Sequence, residues 1–200
     1  MAKQTPKKHQ SPFRMSCREL VVRPEDKKEV PVIREVIREA FAPMPFSTGQ
    51  EWQLVEKIRQ SSGYLPSLAL VALCDGVLVG QSMISLLEIE DKKKPHNALV
   101  LGPVSVLPDF QRRGIGQELI RIGIAAAKRM PLPVMVVVGD LAYYSRFGFE
   151  PAVPRSIHMP FGFDEEDYLQ VLELKKGALK GVQGVIKFPP SFFDEKGDLL

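Results

Sequence analysis

The stretch Leu101-Gly-Pro-Val-Ser-Val-Leu-Pro-Asp-Phe-Gln-Arg-Arg-Gly-Ile-Gly116 decides the interpretation of this chain. An apolar strand is followed by a basic turn with glycines, and the turn opens a long helix. The first backbone N–H groups of a helix have no partner inside it and carry a partial positive charge, so they bind phosphate well. Gly114 and Gly116 leave that backbone open to a pyrophosphate, and Arg112 and Arg113 can add charge-assisted hydrogen bonds.

Three phosphate-binding motifs share this general form. A P-loop is excluded because Gly116 is not followed by Lys and then Ser or Thr. The dinucleotide motif G-x-G-x-x-G needs a third glycine, where this chain has Leu119. That motif also starts directly after its strand, whereas seven residues separate Val106 from Gly114. Only Asp140, at the end of a later strand, favours the dinucleotide interpretation.

The remaining pattern, V-x-V-x-P-x-x-Q-R-R-G-I-G, resembles the acetyl-CoA signature of the GNAT (N-acetyltransferase) superfamily. The segment Ala142-Tyr-Tyr-Ser-Arg-Phe-Gly-Phe149 resembles the Y-x-x-x-G-F element that GNAT proteins carry after the fifth strand. The order of elements from about residue 19 to 150 is also similar to that fold. Residues 151–200 fit as a variable C-terminal portion.

The resemblance implies an α/β (α+β) fold with a mixed central sheet whose fourth and fifth strands splay apart. Gly102-Pro103 interrupts the fourth strand, where the family places a bulge. Acetyl-CoA is the implied co-substrate. Its pantetheine arm would bind the backbone of the fourth strand as an added strand would, and its pyrophosphate the loop. The implied cofactor-binding residues are Val104, Ser105, Val106, Gln111, Arg112, Arg113, Gly114, Ile115, Gly116 and Gln117.

The implied activity is transfer of an acetyl group to a primary amine of a small molecule or peptide, by direct attack in a ternary complex. Tyr144 takes the family's general-acid position, whereas Tyr143 is interpreted as a packing residue. Many members carry an Asn seven residues before this Tyr, where this chain has Val137. The general base stays unassigned among four candidates, Glu51, Glu88, Glu90 and His96.

Hydrophobic periodicity predicts the elements that surround these motifs. Asp75-Gly76 between two apolar runs is a strong hairpin signal. Hairpins together with a crossover predict a mixed sheet flanked by helices. The predicted strands are Glu19–Arg23, Leu68–Cys74, Val77–Ile89, Ala98–Val106 and Val134–Val138, with others near Ser156–Met159, Tyr168–Leu174 and Gly184–Phe188. The predicted helices are approximately Glu25–Phe41, Thr48–Gln60, Gly114–Met130 and Ala142–Phe147.

Composition limits the remaining possibilities. The 200 residues predict one domain over 17–200 behind a flexible tail over 1–16. The net charge of +3 is spread along the chain, which argues against nucleic acid as a partner. No run approaches the roughly 18 apolar residues of a membrane span, and the three histidines lack metal-ligand spacing. A monomer or a homodimer is expected.

Cys17 and Cys74 match neither a disulfide framework nor a zinc site. Because Cys74 follows an apolar run, we expect a buried free thiol and hence a reducing, cytoplasmic location.

Two functions compete with catalysis. One is a non-catalytic acyl-CoA-binding or regulatory module, favoured by the missing base. The other is nucleic-acid binding through the basic tail, which would be steeply salt-dependent. The acceptor amine has no sequence motif. Its pocket is expected near Pro43, Phe46, Trp52 and Phe161-Gly162-Phe163.

Overall fold

A computed structural model describes residues 17–45, 47–160 and 168–200 of the chain. The predicted tail over 1–16, Phe46 and Phe161-Gly162-Phe163 lie outside these ranges. The strands are β1 (Leu20–Pro24), β2 (Ala69–Cys74), β3 (Val77–Glu90), β4 (His96–Val106), β5 (Val134–Val138), β6 (Glu150–Pro151), β7 (Ile157–His158), β8 (Leu169–Glu173) and β9 (Gly184–Lys187). The helices are α1 (Val30–Phe41), α2 (Glu51–Arg59), α3 (Ile115–Ala127) and α4 (Leu141–Tyr144).

All these strands join one sheet in the order β1-β2-β3-β4-β5-β8-β6, while β9 pairs with both β3 and β7. Neighbours along the main path are antiparallel except β4 and β5, which run parallel. The predicted mixed sheet is therefore confirmed. The Asp75-Gly76 hairpin is confirmed as well, since both residues have the positive φ that a type I′ turn requires, 49° and 81°.

The fourth and fifth strands separate halfway along β4. Their pairing covers only Leu99–Leu101 against Met135–Val137, although β4 continues to Val106. At this point Gly102 and Pro103 form a bulge, because β3 pairs with Leu101 and then with Val104 across a register shift. The predicted splay and the predicted interruption by Gly102-Pro103 are both present.

The helices cover the two faces of the sheet. α1 and α2 pack on one face, against residues such as Val134 and Val136 of β5. α3 packs on the other, against Met135 and Val137. A strand buried on both faces explains the continuous apolar run. Gly123 keeps α3 close to the sheet, because a Cβ there would lie 2.9 Å from the Ile84 side chain.

α2 begins three residues later than predicted, and local hydrogen bonds explain the difference. Thr48 and Gly49 form a turn rather than the first helical residues, and the Gln50 N–H donates to Thr48 Oγ1 at 3.2 Å. Side-chain-to-backbone bonds of this kind compete with helix formation. α2 therefore begins at Glu51, whose carboxylate Oε1 accepts the Thr48 N–H at 3.2 Å. This leaves Glu51 in the first turn.

The prediction that Cys74 is a free thiol is wrong. Cys17, just before β1, forms a disulfide with Cys74 at the end of β2, with Cα atoms 5.4 Å apart. The two cysteines are 57 residues apart in sequence, and only the antiparallel pairing of β1 with β2 brings them together. The argument from a free thiol to a reducing compartment therefore has no basis. Within the described ranges, no helix is long and apolar enough to cross a membrane.

Candidate active site

The start of α3 carries backbone N–H groups that have no partner within the helix. Gly114 is the N-cap of α3 with φ 85°, a left-handed conformation that a glycine adopts without strain. The first helical hydrogen bond runs from the Glu118 N–H to the Gly114 carbonyl at 2.9 Å. The N–H groups of Ile115, Gly116 and Gln117 therefore precede the hydrogen-bonded part of the helix, as an anion site requires.

A cavity of about 510 Å³ lies against this loop. One side is formed by the loop and the start of α3, and the other by β4 and by α4 with the residues just after it. Its lining residues are Met44, Val104, Val106, Phe110, Gln111, Arg112, Gly114, Ile115, Gly116, Gln117, Tyr143, Tyr144 and Arg146. We call this space the cofactor cavity.

The three predicted residues of β4 do not all face the gap between β4 and β5. The Leu107 N–H donates to Val79 of β3 at 2.8 Å, and peptide groups alternate in direction along a strand. The backbone groups of Val104 and Val106 therefore point away from β3 and into the gap. Ser105 faces β3, and its buried hydroxyl accepts a hydrogen bond from Gln81 Nε2 at 2.8 Å.

The polar side chains of the loop also differ in whether they line the cofactor cavity. Gln111 and Arg112 line the cofactor cavity, and Gln111 Nε2 donates to the Val106 carbonyl at 3.0 Å. Arg113 instead folds back along the loop, where Nη2 donates to the Asp109 carbonyl at 2.6 Å and the guanidinium lies 5.4 Å from the Phe110 ring centre. Arg113 and Ser105 are thus the predicted cofactor residues that do not line the cavity.

Tyr144 lies at the end of α4, where the sheet opens. Asp140 caps α4 by accepting the Ala142 N–H at 2.9 Å, so its role here is structural. The Tyr144 ring packs 5.9 Å from the Phe149 ring, and Gly139 makes room for it, because a Cβ there would lie 2.4 Å from the tyrosine ring. Burial, with a smaller contribution from the nearby Tyr143, raises the pKa of Tyr144 to about 12. The phenol is therefore protonated at neutral pH.

Of the cofactor-cavity residues that sequence reasoning missed, two lie at or just after the end of α4, Tyr143 and Arg146. The ring of Tyr143 packs on Tyr144 at 5.1 Å, as expected of a packing residue, but its hydroxyl lies beside the loop. A Cβ on Gly116 would lie 3.3 Å from that hydroxyl. Arg146 stands over the Tyr143 ring at 4.9 Å. The sequence did contain a signal, because Arg146 follows Tyr143 by three residues and this spacing places two side chains on the same face of a helix.

A second cavity of about 370 Å³ lies on the other side of Tyr144. Val104 and Tyr144 line both cavities, so the two spaces adjoin at these two residues. We call the second space the acceptor cavity. Its lining residues are Phe41, Glu51, Leu54, Val100, Leu101, Gly102, Pro103, Val104, Val138, Tyr144, Met159, Phe188, Phe192, Leu199 and Leu200. Trp52 packs against the core instead, with Arg34 over its ring at 5.1 Å.

The four candidates for a general base separate in space. Glu51 lines the acceptor cavity. Glu88 pairs with Lys187 at 3.3 Å near the turn between β3 and β4, and Glu90 is exposed at the same turn. His96 begins β4 and lies 3.7 Å from Asp91. Glu88 lies opposite Asn97, which is three residues, or about 10 Å along a strand, from Val100 of the acceptor cavity. Glu51 is thus the candidate that shares a cavity with Tyr144.

Within the described ranges, no group of three or more His, Cys, Asp and Glu side chains is placed to hold a metal ion.

Comparison with known proteins agrees with this geometry. Residues 21–152 match the family described as "Acetyltransferase (GNAT) domain". The chain is 32% identical over 142 residues to the uncharacterized N-acetyltransferase YjhQ of Escherichia coli (strain K12), covering 70% of this chain and 76% of that protein. These two matches show that the chain belongs to the GNAT acetyltransferase family, and its enzyme class is N-acetyltransferase.

Two solved structures are similar over most of the chain. A GNAT family acetyltransferase from Brucella melitensis, crystallised in complex with acetyl-CoA, has a TM-score of 0.70 at 30% identity and covers 87% of this chain and 98% of its own. The N-acetyltransferase YhbS of Escherichia coli, crystallised in complex with CoA, has a TM-score of 0.75 at 26% identity and covers 86% and 91%. The predicted fold class and family are therefore confirmed.

Proposed function

We propose that this chain binds acetyl-CoA in the cofactor cavity and transfers the acetyl group to a primary amine in the acceptor cavity. The observation that carries the proposal is the meeting of the two cavities at Tyr144. A thioester entering from one side and an amine from the other would come together beside the one phenol that both spaces share. Holding two reactants in this way replaces a bimolecular encounter by a local one.

The cofactor would bind mainly to backbone. The N–H groups of Ile115, Gly116 and Gln117 would hold the pyrophosphate, with Arg112 alongside, since all four residues line the cavity. The backbone groups of Val104 and the N–H of Val106 would pair with the pantetheine amides, while the Val106 carbonyl accepts from Gln111. The similar Brucella protein was crystallised with acetyl-CoA, which supports the same ligand for this chain.

In the reaction, the amine nitrogen attacks the thioester carbonyl carbon, the C–S bond breaks and its electron pair leaves on sulfur. An ammonium substrate loses two protons in all, of which one ends on the CoA thiol and the other goes to solvent. With the pKa of Tyr144 at about 12 and a thiol near 8.5, full transfer from the phenol to sulfur would be uphill by roughly 5 kcal/mol. Tyr144 therefore acts as a hydrogen-bond donor that stabilises the leaving thiolate.

A screen of amines tests the proposal. The purified protein is incubated with acetyl-CoA and amines from several classes, including alkyl and aryl amines, amino acids, polyamines and peptides. CoA release and the acetylated product are measured together. We expect one class of amine to give product in proportion to CoA released. If acetyl-CoA binds tightly but no amine is acetylated, the proposal fails in favour of a non-catalytic acyl-CoA-binding module.

A further inference from the structure

We propose that the acceptor cavity selects a small primary monoamine with an apolar body, and that the Glu51 carboxylate binds its ammonium group. This inference rests on the proposed function and names the class of acceptor for that reaction.

The walls of the acceptor cavity are apolar and come from distant parts of the chain. Phe41 belongs to α1, Leu54 to α2, and Phe188, Phe192 and Leu199 to the C-terminal region. The volume of about 370 Å³ is at the small end of the range of roughly 300–1,000 Å³ typical of small-molecule sites. Such walls favour an alkyl or aryl group, because burying apolar surface is favourable.

The side-chain charge in this cavity is limited to one carboxylate. Among the described lining residues, Glu51 is the only acidic side chain, and none is Lys, Arg or His. One ammonium group would therefore find a partner. A carboxylate on the acceptor would find none and would be repelled, and a second ammonium would be buried without a side-chain counter-charge. Burial of an unpaired charge is expensive, so amino acids and polyamines are disfavoured.

The carboxylate of Glu51 uses one oxygen in a local hydrogen bond and still has an oxygen to offer. Oε1 accepts the Thr48 N–H at 3.2 Å, which ties the side chain to the first turn of α2. That is the single hydrogen bond of this carboxylate among the residues the structure describes. Oε2 is then available to an ammonium N–H, and a charge-assisted bond of this kind is stronger than a neutral one.

A matched set of acceptors tests the selectivity. Phenethylamine carries the ammonium and the apolar body, phenylalanine adds a carboxylate to the same skeleton, and spermidine replaces the apolar body by further charges. We expect kcat/KM for phenethylamine to exceed that for each of the others by about tenfold or more, which corresponds to one lost charge contact. Equal or better use of phenylalanine or spermidine overturns the inference while leaving the proposed function intact.

The variant Glu51→Gln tests the role of the charge. Gln keeps an oxygen for the Thr48 N–H, so the thermal midpoint and acetyl-CoA affinity should stay unchanged. We expect KM for phenethylamine to rise about tenfold. Glu88→Gln, at the far turn between β3 and β4, is the matched control and should leave KM unchanged. An unaltered KM in Glu51→Gln contradicts the inference.

The two experiments distinguish failure of the acceptor assignment from failure of the proposed function. Acetylation of amines from a different class refutes the acceptor assignment alone. Absence of acetylation with every amine, while calorimetry still detects acetyl-CoA binding, refutes the proposed function and this inference with it.

Discussion

The two cavities that meet at Tyr144 differ in the groups that they present to a ligand, which are backbone groups in one and side chains in the other. The cofactor cavity presents the helix-start N–H groups of α3 and the peptide groups of Val104 and Val106. The acceptor cavity presents side chains from α1, α2, β4 and the C-terminal region. A cradle of backbone requires glycines at fixed spacing and leaves a sequence motif. A cavity of side chains from distant segments requires only apolar residues of suitable size, and such residues leave no motif.

The largest effect is expected from a side chain added to the backbone cradle. In Gly116→Val the new Cβ would lie 3.3 Å from the Tyr143 hydroxyl and 3.7 Å from Val106, so the side chain would fill part of the cofactor cavity, where we propose that the pyrophosphate binds. We expect acetyl-CoA affinity, measured by calorimetry, to fall about a hundredfold, equivalent to about 2.7 kcal/mol. The control Ala125→Val, on the exposed side of α3, should bind normally. Normal binding by Gly116→Val would contradict a backbone cradle.

A smaller effect is expected from a side chain that only borders the cradle. Arg146 stands over Tyr143 at the edge of the cofactor cavity, where its charge can attract phosphate oxygens. We expect Arg146→Ala to weaken acetyl-CoA binding about fivefold at low salt, and less at high salt because salt screens exposed charges. Arg155, which pairs with Glu150 at 2.8 Å, provides the control Arg155→Ala. A loss that does not depend on salt would exclude an electrostatic role.

A wall of the acceptor cavity should tolerate truncation. Leu199 is half-buried and lines only that cavity of the two. In Leu199→Ala we expect acetyl-CoA affinity to stay unchanged while kcat/KM shifts a few-fold towards amines bulkier than phenethylamine, because the space grows. Competition between phenethylamine and tryptamine measures the shift. A loss of acetyl-CoA binding in this variant would mean that the two cavities are not independent.

The smallest effect concerns pH. The folded pKa of Tyr144, about 12, lies above the unfolded value of about 10, so the protonated phenol favours folding. That contribution is fully present below pH 10 and is lost as the pH rises through 10 towards 12. We expect no fall in kcat from ionisation of Tyr144 between pH 7 and pH 10. A fall with an apparent pKa near 10 that is absent in Tyr144→Phe would show that the phenol is less buried than the structure indicates.

The sequence predicted those parts of the site that depend on local chain geometry. Gly114 marked the start of α3, where the structure gives it a left-handed φ that a glycine adopts without strain, and Asp75-Gly76 marked a hairpin whose turn needs positive φ. The predicted positions of β4 and β5 were also confirmed. Both strands were predictable because they are continuous apolar runs. The elements that position the cofactor cavity thus follow from short-range sequence patterns.

The sequence did not predict the features that depend on contacts between distant parts of the chain. The Cys17–Cys74 disulfide depends on strand pairing, and the inward orientation of Ser105 depends on which side of β4 faces β3. The folding of Arg113 back over Phe110 is equally invisible in a motif. Glu51 was one of four candidate bases, and only the packing of α2 over the sheet placed it near Tyr144.

The kinetics of Tyr144→Phe test the central claim most directly, that both substrates meet at this phenol. The ring packs against Phe149 and Gly139, contacts that Phe can keep, so the fold and both cavities should persist. Using the best amine from the screen, we predict that kcat falls about a hundredfold, as removal of a hydrogen-bond donor to the leaving group should cause. The KM values for acetyl-CoA and for the amine should stay unchanged. An unchanged kcat would contradict the claim.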